Sequence, residues 1–124
     1  MPTIFEFSQQ IALFRKEKKF LEVLTYFREN KGNFTKVQIR NNEYIVSDMI
    51  SCLRYSNNLD AGFQFLNIYG ITINEEQKER ILSAYGWLLW AKYKSENEIN
   101  GHSETEDNYF DSDDEETDVE NFEL

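Results

Sequence analysis

Proline is all but missing from this chain: the single one, Pro2, lies outside every stretch with apolar periodicity, so no pyrrolidine ring interrupts a helix. One cysteine and one histidine exclude a disulfide scaffold and a self-contained zinc site, which needs about four such ligands. The five glycines are scattered at positions 32, 62, 70, 86 and 101 and form no phosphate cradle. No apolar run approaches the ~20 residues of a membrane span, and the N-terminus has no basic-then-apolar leader pattern. Glu-x-x-His pairs of the di-metal bundle type are also lacking. These absences predict a soluble, cytoplasmic protein with no membrane contact, no metal and no cofactor.

Nucleophilic catalysis fares no better. Cys52 shares an apolar helical face with Ile45, Met49 and Leu53, which reads as a core thiol rather than an attacking one. His102 sits in a polar, acidic stretch that could not hold a base to catalytic tolerance. With no catalytic constellation, the expectation is a non-enzyme.

Charge is unevenly placed. The 124 residues carry 13 Lys+Arg and 23 Asp+Glu, for a formal net charge of −10. From Glu96 onward there are 13 acidic residues and no Lys or Arg, leaving residues 1–95 at about +3. The length allows one domain. Residues 1–95 are therefore read as a helical domain. Residues 96–124 are read as an acidic tail, disordered alone because it cannot bury enough surface to offset its ordering entropy.

The apolar spacing of the body is helical. Phe7, Ile11 and Phe14 make a first stripe, with Ser8 placed to cap it. Phe20, Val23, Leu24 and Phe27 make a second, which Gly32 ends in a left-handed turn. The segment Asn30–Asn42 reads as loop. A further hairpin follows, with Ile45, Met49, Cys52 and Leu53 before Asn57-Asn58 and Leu59, Gly62, Phe63 and Leu66 after it. Asn74 and Gln77 then resemble a capping box opening a helix that runs to about Tyr93 or later, with Lys92 and Lys94 at its basic end. The fold class is all-α: antiparallel hairpins, about five helices in all.

The hairpins repeat. Phe20 to Val23 align with Leu59 to Gly62 at an offset of 39 residues, which carries Ile11 and Phe14 onto Ile50 and Leu53 and points to an α-solenoid. Lys18 to Leu24, Cys52 to Ala61 and Ala84 to Trp90 resemble tetratricopeptide-type helical hairpins over about residues 7–94. The period exceeds the ~34 residues of that family and its closing proline is missing. The resemblance implies a short solenoid acting as a non-catalytic protein-interaction module or adaptor.

Three features bear on partners. On the last helix, Ile81, Leu82, Tyr85, Leu88 and Leu89 fall on one face at 100° per residue. Trp87 lies roughly opposite, flanked by Ala84 and Ala91, with Trp90 between and Tyr93 beyond. Trp87 then either folds under the 30–42 segment or Phe5, or meets another protein. Arg15, Lys16, Lys18 and Lys19 form a basic patch at the first turn, with Lys31, Lys36 and Arg40 in the segment after it. In the tail, Tyr109, Phe110 and Phe122 flank Asp111, Asp113, Asp114, Glu115, Glu116 and Asp118. Such a strip is either a linear recognition motif or a solubility element. It is no calcium loop, because Glu116 stands where glycine is needed and Phe122 where a carboxylate is. The expected partner is a protein. The alternative is a nucleic-acid-associated regulator whose basic turn is restrained by a tail that mimics nucleic acid.

Overall fold

The computed structural model describes the backbone of residues 2–100 and the side chains of residues 2–97. It is all helical, with no strand among the described residues. The helices are α1 (Ile4–Lys16), α2 (Phe20–Asn30), α3 (Lys36–Arg40), α4 (Glu43–Tyr55), α5 (Leu59–Ile68) and α6 (Glu79–Asn100), with a 3-10 turn at Lys31–Asn33. The predicted boundary at residue 95 moves: residues 96–100, expected to belong to the tail, continue α6, and the rest of the predicted tail beyond residue 100, with all its candidate motif residues, lies outside the described residues.

Helix ends follow local chemistry. Thr3 caps α1, accepting from the Glu6 amide while the Glu6 carboxylate accepts from the Thr3 amide. The cap is therefore Thr3; Ser8 is buried inside the helix instead. Thr35 and Gln38 make the same reciprocal pair, which nucleates α3 within the segment expected to be loop. Gly32 does not end α2 in a left-handed turn; it lies in the 3-10 turn that continues the chain. Asn74 and Gln77 do not cap α6. Asn74 accepts from the Glu76 amide and the Gln77 amide donates to the Asn74 carbonyl, closing a turn ahead of a helix that starts at Glu79. Lys92 and Lys94 lie inside α6, not at its end.

The two hairpin turns are built alike. Lys18 and Asn57, 39 residues apart, take the left-handed conformation (φ 62° and 64°). The Lys18 and Lys19 amides donate to the Arg15 and Phe14 carbonyls; the Asn57 and Asn58 amides donate to the Arg54 and Leu53 carbonyls. This is the Schellman pattern, in which one left-handed residue lets the last carbonyls of a helix find donors. Gly70 (φ 66°) ends α5 in the same way.

The core is organised around α4, which packs against α1, α2, α3, α5 and α6. Nine consecutive residues, Ile45 to Leu53, are buried, so this helix has no fully wet face. Its apolar sides meet Phe7 and Ile11 of α1, Val23, Leu24 and Phe27 of α2, and Phe65 and Leu66 of α5 in one cluster. Aromatic rings join these layers: Phe27 lies 5.8 Å from Phe7, 5.7 Å from Phe65 and 6.0 Å from Tyr69.

Helix α6 presents Ile81, Ala84 and Leu88 to the core, with Tyr85 half-buried. Leu89, assigned to this face from periodicity, is exposed, so the helix is rotated toward its small residue. Gly62 is the reason the approach is close: a Cβ there would come within 3.0 Å of both Leu88 methyl carbons.

Candidate functional site

Helix α4 carries a second periodicity beneath its apolar one. Tyr44, Ser47, Asp48, Ser51, Arg54 and Tyr55 recur at helical spacing and form a polar and aromatic stripe. Opposite it, α6 offers Glu79, Arg80, Ser83, Ala84 and Trp87 at the same period, and Arg15 closes one end from α1. Because the facing positions are serine and alanine, the helices leave a groove of about 550 Å³ between them. A second hollow of about 320 Å³ shares Arg15 and Tyr55 and extends to Lys16, Lys18 and Phe20.

Asp48 is the floor. It is 2% exposed, and its Oδ1 faces Arg15 Nη1 at 3.4 Å and Arg80 Nη2 at 3.6 Å. Burial pushes its carboxyl pKa up, and the two guanidinium groups only partly oppose that shift. Arg80 is fixed further: its Nε donates to Ser47 Oγ at 2.8 Å, and its guanidinium lies 4.8 Å from the Tyr44 ring centre. Arg54 has no ion pair among the described residues. It is held by ring faces instead, 4.2 Å from the Tyr55 centroid and 5.7 Å from that of Trp87. Tyr55 in turn stacks on Phe20 at 4.8 Å. Arg15 Nε, Arg54 Nε and Asp48 Oδ2 are buried without a hydrogen-bond partner, and all three belong to residues lining this one groove.

Linkage gives Asp48 a measurable signature. A carboxyl whose folded pKa is raised favours the folded state fully below its unfolded value, about 4. That contribution is lost as pH rises through the folded value. Asp48→Asn is therefore expected to gain stability relative to the parent chain between pH 4 and pH 7. Urea unfolding midpoints across that range check it; a difference that stays constant with pH, or that moves against the variant, contradicts the assignment.

The predicted site residues divide clearly. Trp87, Trp90 and Tyr93 are 53%, 52% and 64% exposed, and Trp87 packs edge to face on Trp90 at 5.9 Å. Neither Phe5 nor the 30–42 segment lines the groove beside Trp87, and Phe5 is itself exposed. Ala84 is buried at the groove wall and Ala91 is half-buried. The basic patch is split: Arg15 turns inward to Asp48, Lys16 and Lys18 line the second hollow, and Lys19 pairs with Glu17 at 3.4 Å. Arg40, in the segment after the patch, turns away from it and donates to the Tyr69 carbonyl at 3.1 Å. Sequence reasoning missed Asp48, Arg54 and Arg80. The signal that could have found Asp48 and Arg54 is the polar stripe of α4, whose period matches the apolar one it interleaves; Arg80 lies on α6 and joins them only through the packing of the two helices.

Cys52 is fully buried, as its spacing predicted, and its thiol is pushed up to about 12 by burial and then by the neighbouring Asp48 carboxylate. Among the described residues no cluster of three metal-ligating side chains occurs, and no helix is long and apolar enough to cross a membrane. Compared with protein families, curated proteins and solved structures, the chain matches none.

Proposed function

We propose that this domain is a non-catalytic, tetratricopeptide-like docking module that takes an acidic, aromatic-bearing protein segment in the groove between α1, α4 and α6. The observation that carries the reading is the convergence of Arg15, Arg54 and Arg80 beside the half-exposed Trp87. Arginine forks match carboxylates, and an exposed tryptophan beside them supplies an apolar anchor of the kind that dominates binding energy. The module architecture is supported by the order of packing, with α2 against α1 and α4, and α4 against α5 and α6. The identical turns at Lys18 and Asn57 support it further.

A fluorescein-labelled synthetic peptide of alternating Asp/Glu and Phe/Tyr, titrated into the full chain, tests the reading. Arg54→Ala and Trp87→Ala are each expected to weaken binding by about tenfold or more, with thermal unfolding showing that each variant remains folded. Unchanged affinity in both would sink the proposal. A labelled single-stranded oligonucleotide binding in place of the peptide, with a steep salt dependence, would favour the nucleic-acid alternative.

A further inference from the structure

Three guanidinium groups reach the groove from three different helices, Arg15 from α1, Arg54 from α4 and Arg80 from α6. Asp48 answers only part of that charge. Its Oδ1 faces Arg15 Nη1 and Arg80 Nη2, while Arg15 Nη2 and Arg80 Nη1 have no polar partner among the described residues. The two arginine side chains are still 34% and 43% exposed, so their heads remain open to a ligand. Arg54 faces no carboxylate. Rings cover its two faces, Tyr55 at 4.2 Å and Trp87 at 5.7 Å, which leaves the edge, where the N–H groups point, for hydrogen bonding. Glu79, the other carboxylate lining the groove, is exposed in the first turn of α6, where water screens it.

The geometry of these cations selects among anions. A carboxylate is planar, offers two oxygens and is filled by one guanidinium fork. Three forks arriving from three helices instead suit a tetrahedral group with three terminal oxygens. A phosphorylated side chain is such a group, and at pH 7 it brings a charge of about −1.5 to −2. Ring faces stand beside the same cations: Trp87 and Tyr55 are 53% and 51% exposed. A side chain that carries a ring and a phosphate in one piece uses both. With its ring on Trp87, its phosphate comes to lie beside Arg54, whose Cζ is 5.7 Å from the Trp87 centroid. The adjoining hollow adds Lys16 and Lys18, and no carboxylate lines it, so acidic residues next to the phosphorylated one have cations to meet.

We infer that the segment taken by the α1–α4–α6 groove carries a phosphorylated tyrosine, its phosphate held by Arg15, Arg54 and Arg80 and its ring lying on Trp87. The inference rests on the acidic-segment reading of the groove and sharpens it. Carboxylates alone bind weakly there, and phosphorylation of the partner switches docking on, because the added oxygens take charge-assisted hydrogen bonds from several guanidinium groups at once.

Fluorescein-labelled peptides of one alternating Asp/Glu and Phe/Tyr sequence test this on the full chain. They differ only at a central position, which is tyrosine, phosphotyrosine, phosphoserine or glutamate. The phosphotyrosine peptide is expected to bind about tenfold more tightly than the tyrosine and glutamate peptides. It should also bind more tightly than the phosphoserine peptide, which has no ring for Trp87. In Arg54→Gln the gain from phosphorylation is expected to shrink to about twofold, with thermal unfolding showing that the variant is folded. The comparison among peptides on the parent chain stands without any variant.

If all four peptides bind the parent chain equally, the phosphotyrosine inference falls while the acidic-segment reading survives. If none binds, that reading falls and takes the inference with it. A phosphoserine peptide as tight as the phosphotyrosine one overturns the tyrosine, and a full gain retained in Arg54→Gln overturns the site. A labelled single-stranded oligonucleotide that outcompetes the phosphotyrosine peptide assigns the phosphate contacts to nucleic acid instead, which also overturns the inference.

Discussion

Phe27→Ala is expected to destabilise the domain by about 3–5 kcal/mol, the range for truncating a fully buried phenylalanine. For a body of this size the melting midpoint should then fall by on the order of 15 °C or more. The position explains the size of the effect. Phe27 is fully buried on α2 and its ring touches three others, Phe7 from α1, Phe65 from α5 and Tyr69 just after it. Removing it opens a void between three separately held elements, none of which can close it by moving alone. Urea or thermal unfolding followed by circular dichroism checks this. A loss below about 1.5 kcal/mol, the range of a volume-conserving swap, would mean that the cluster repacks and that the aromatic core is more plastic than close packing allows.

The second large effect concerns the seating of α6, and it is a prediction about a pair. Leu88→Ala is expected to cost about 2–5 kcal/mol, because the side chain is fully buried where α6 crosses the bare backbone of Gly62. Gly62→Ala alone places a methyl group 3.0 Å from both Leu88 methyl carbons. Leu88 is fully buried, so its methyl groups have little room to give, and the helix-propensity gain of about 1 kcal/mol is offset by overpacking. In the Leu88→Ala background the same methyl group meets a void, and there it should stabilise. The double-mutant cycle is therefore expected to show a coupling of about 1–2 kcal/mol. Additive effects would show that α6 is not seated through this contact. Since Trp87 precedes Leu88 directly, loosening α6 should also weaken peptide binding in the Leu88→Ala variant.

Much of the architecture is legible in the residues, for a local reason. The hairpin turns at Lys18 and Asn57, the stripes Phe20 to Phe27 and Ile45 to Leu53, and the burial of Cys52 follow from period, turn chemistry and the near-absence of proline. Where the reading slipped, two local signals competed. Ser8 and Thr3 can both cap α1, and only Thr3 has Glu6 three residues on to complete the reciprocal pair. Thr35 and Gln38 carry the same signature, but α3 is only five residues long, too short for a periodic stripe to stand out. For α6, Leu82 and Leu89 pulled the expected buried face round the helix. Packing reversed that, because Ala84 permits closer approach to α4 than a leucine would.

By themselves the residues determined that this chain is helical, that one face of its last helix carries tryptophans the hairpins do not need, and that its acidity is concentrated after residue 95. Those properties depend on neighbours within a few positions along the chain. Only the tertiary structure decided that Arg15, Asp48, Arg54, Arg80 and Trp87 belong together: Ser47 and Arg80 are 33 residues apart and joined by one 2.8 Å hydrogen bond. It also decided which basic residues remain a patch, turning Arg15 in to Asp48 and Arg40 away to Tyr69. The physical reason is that helical period fixes which face a side chain shares, whereas what that face meets depends on how three helices cross, and small residues at Gly62, Ser83 and Ala84 set how closely they do.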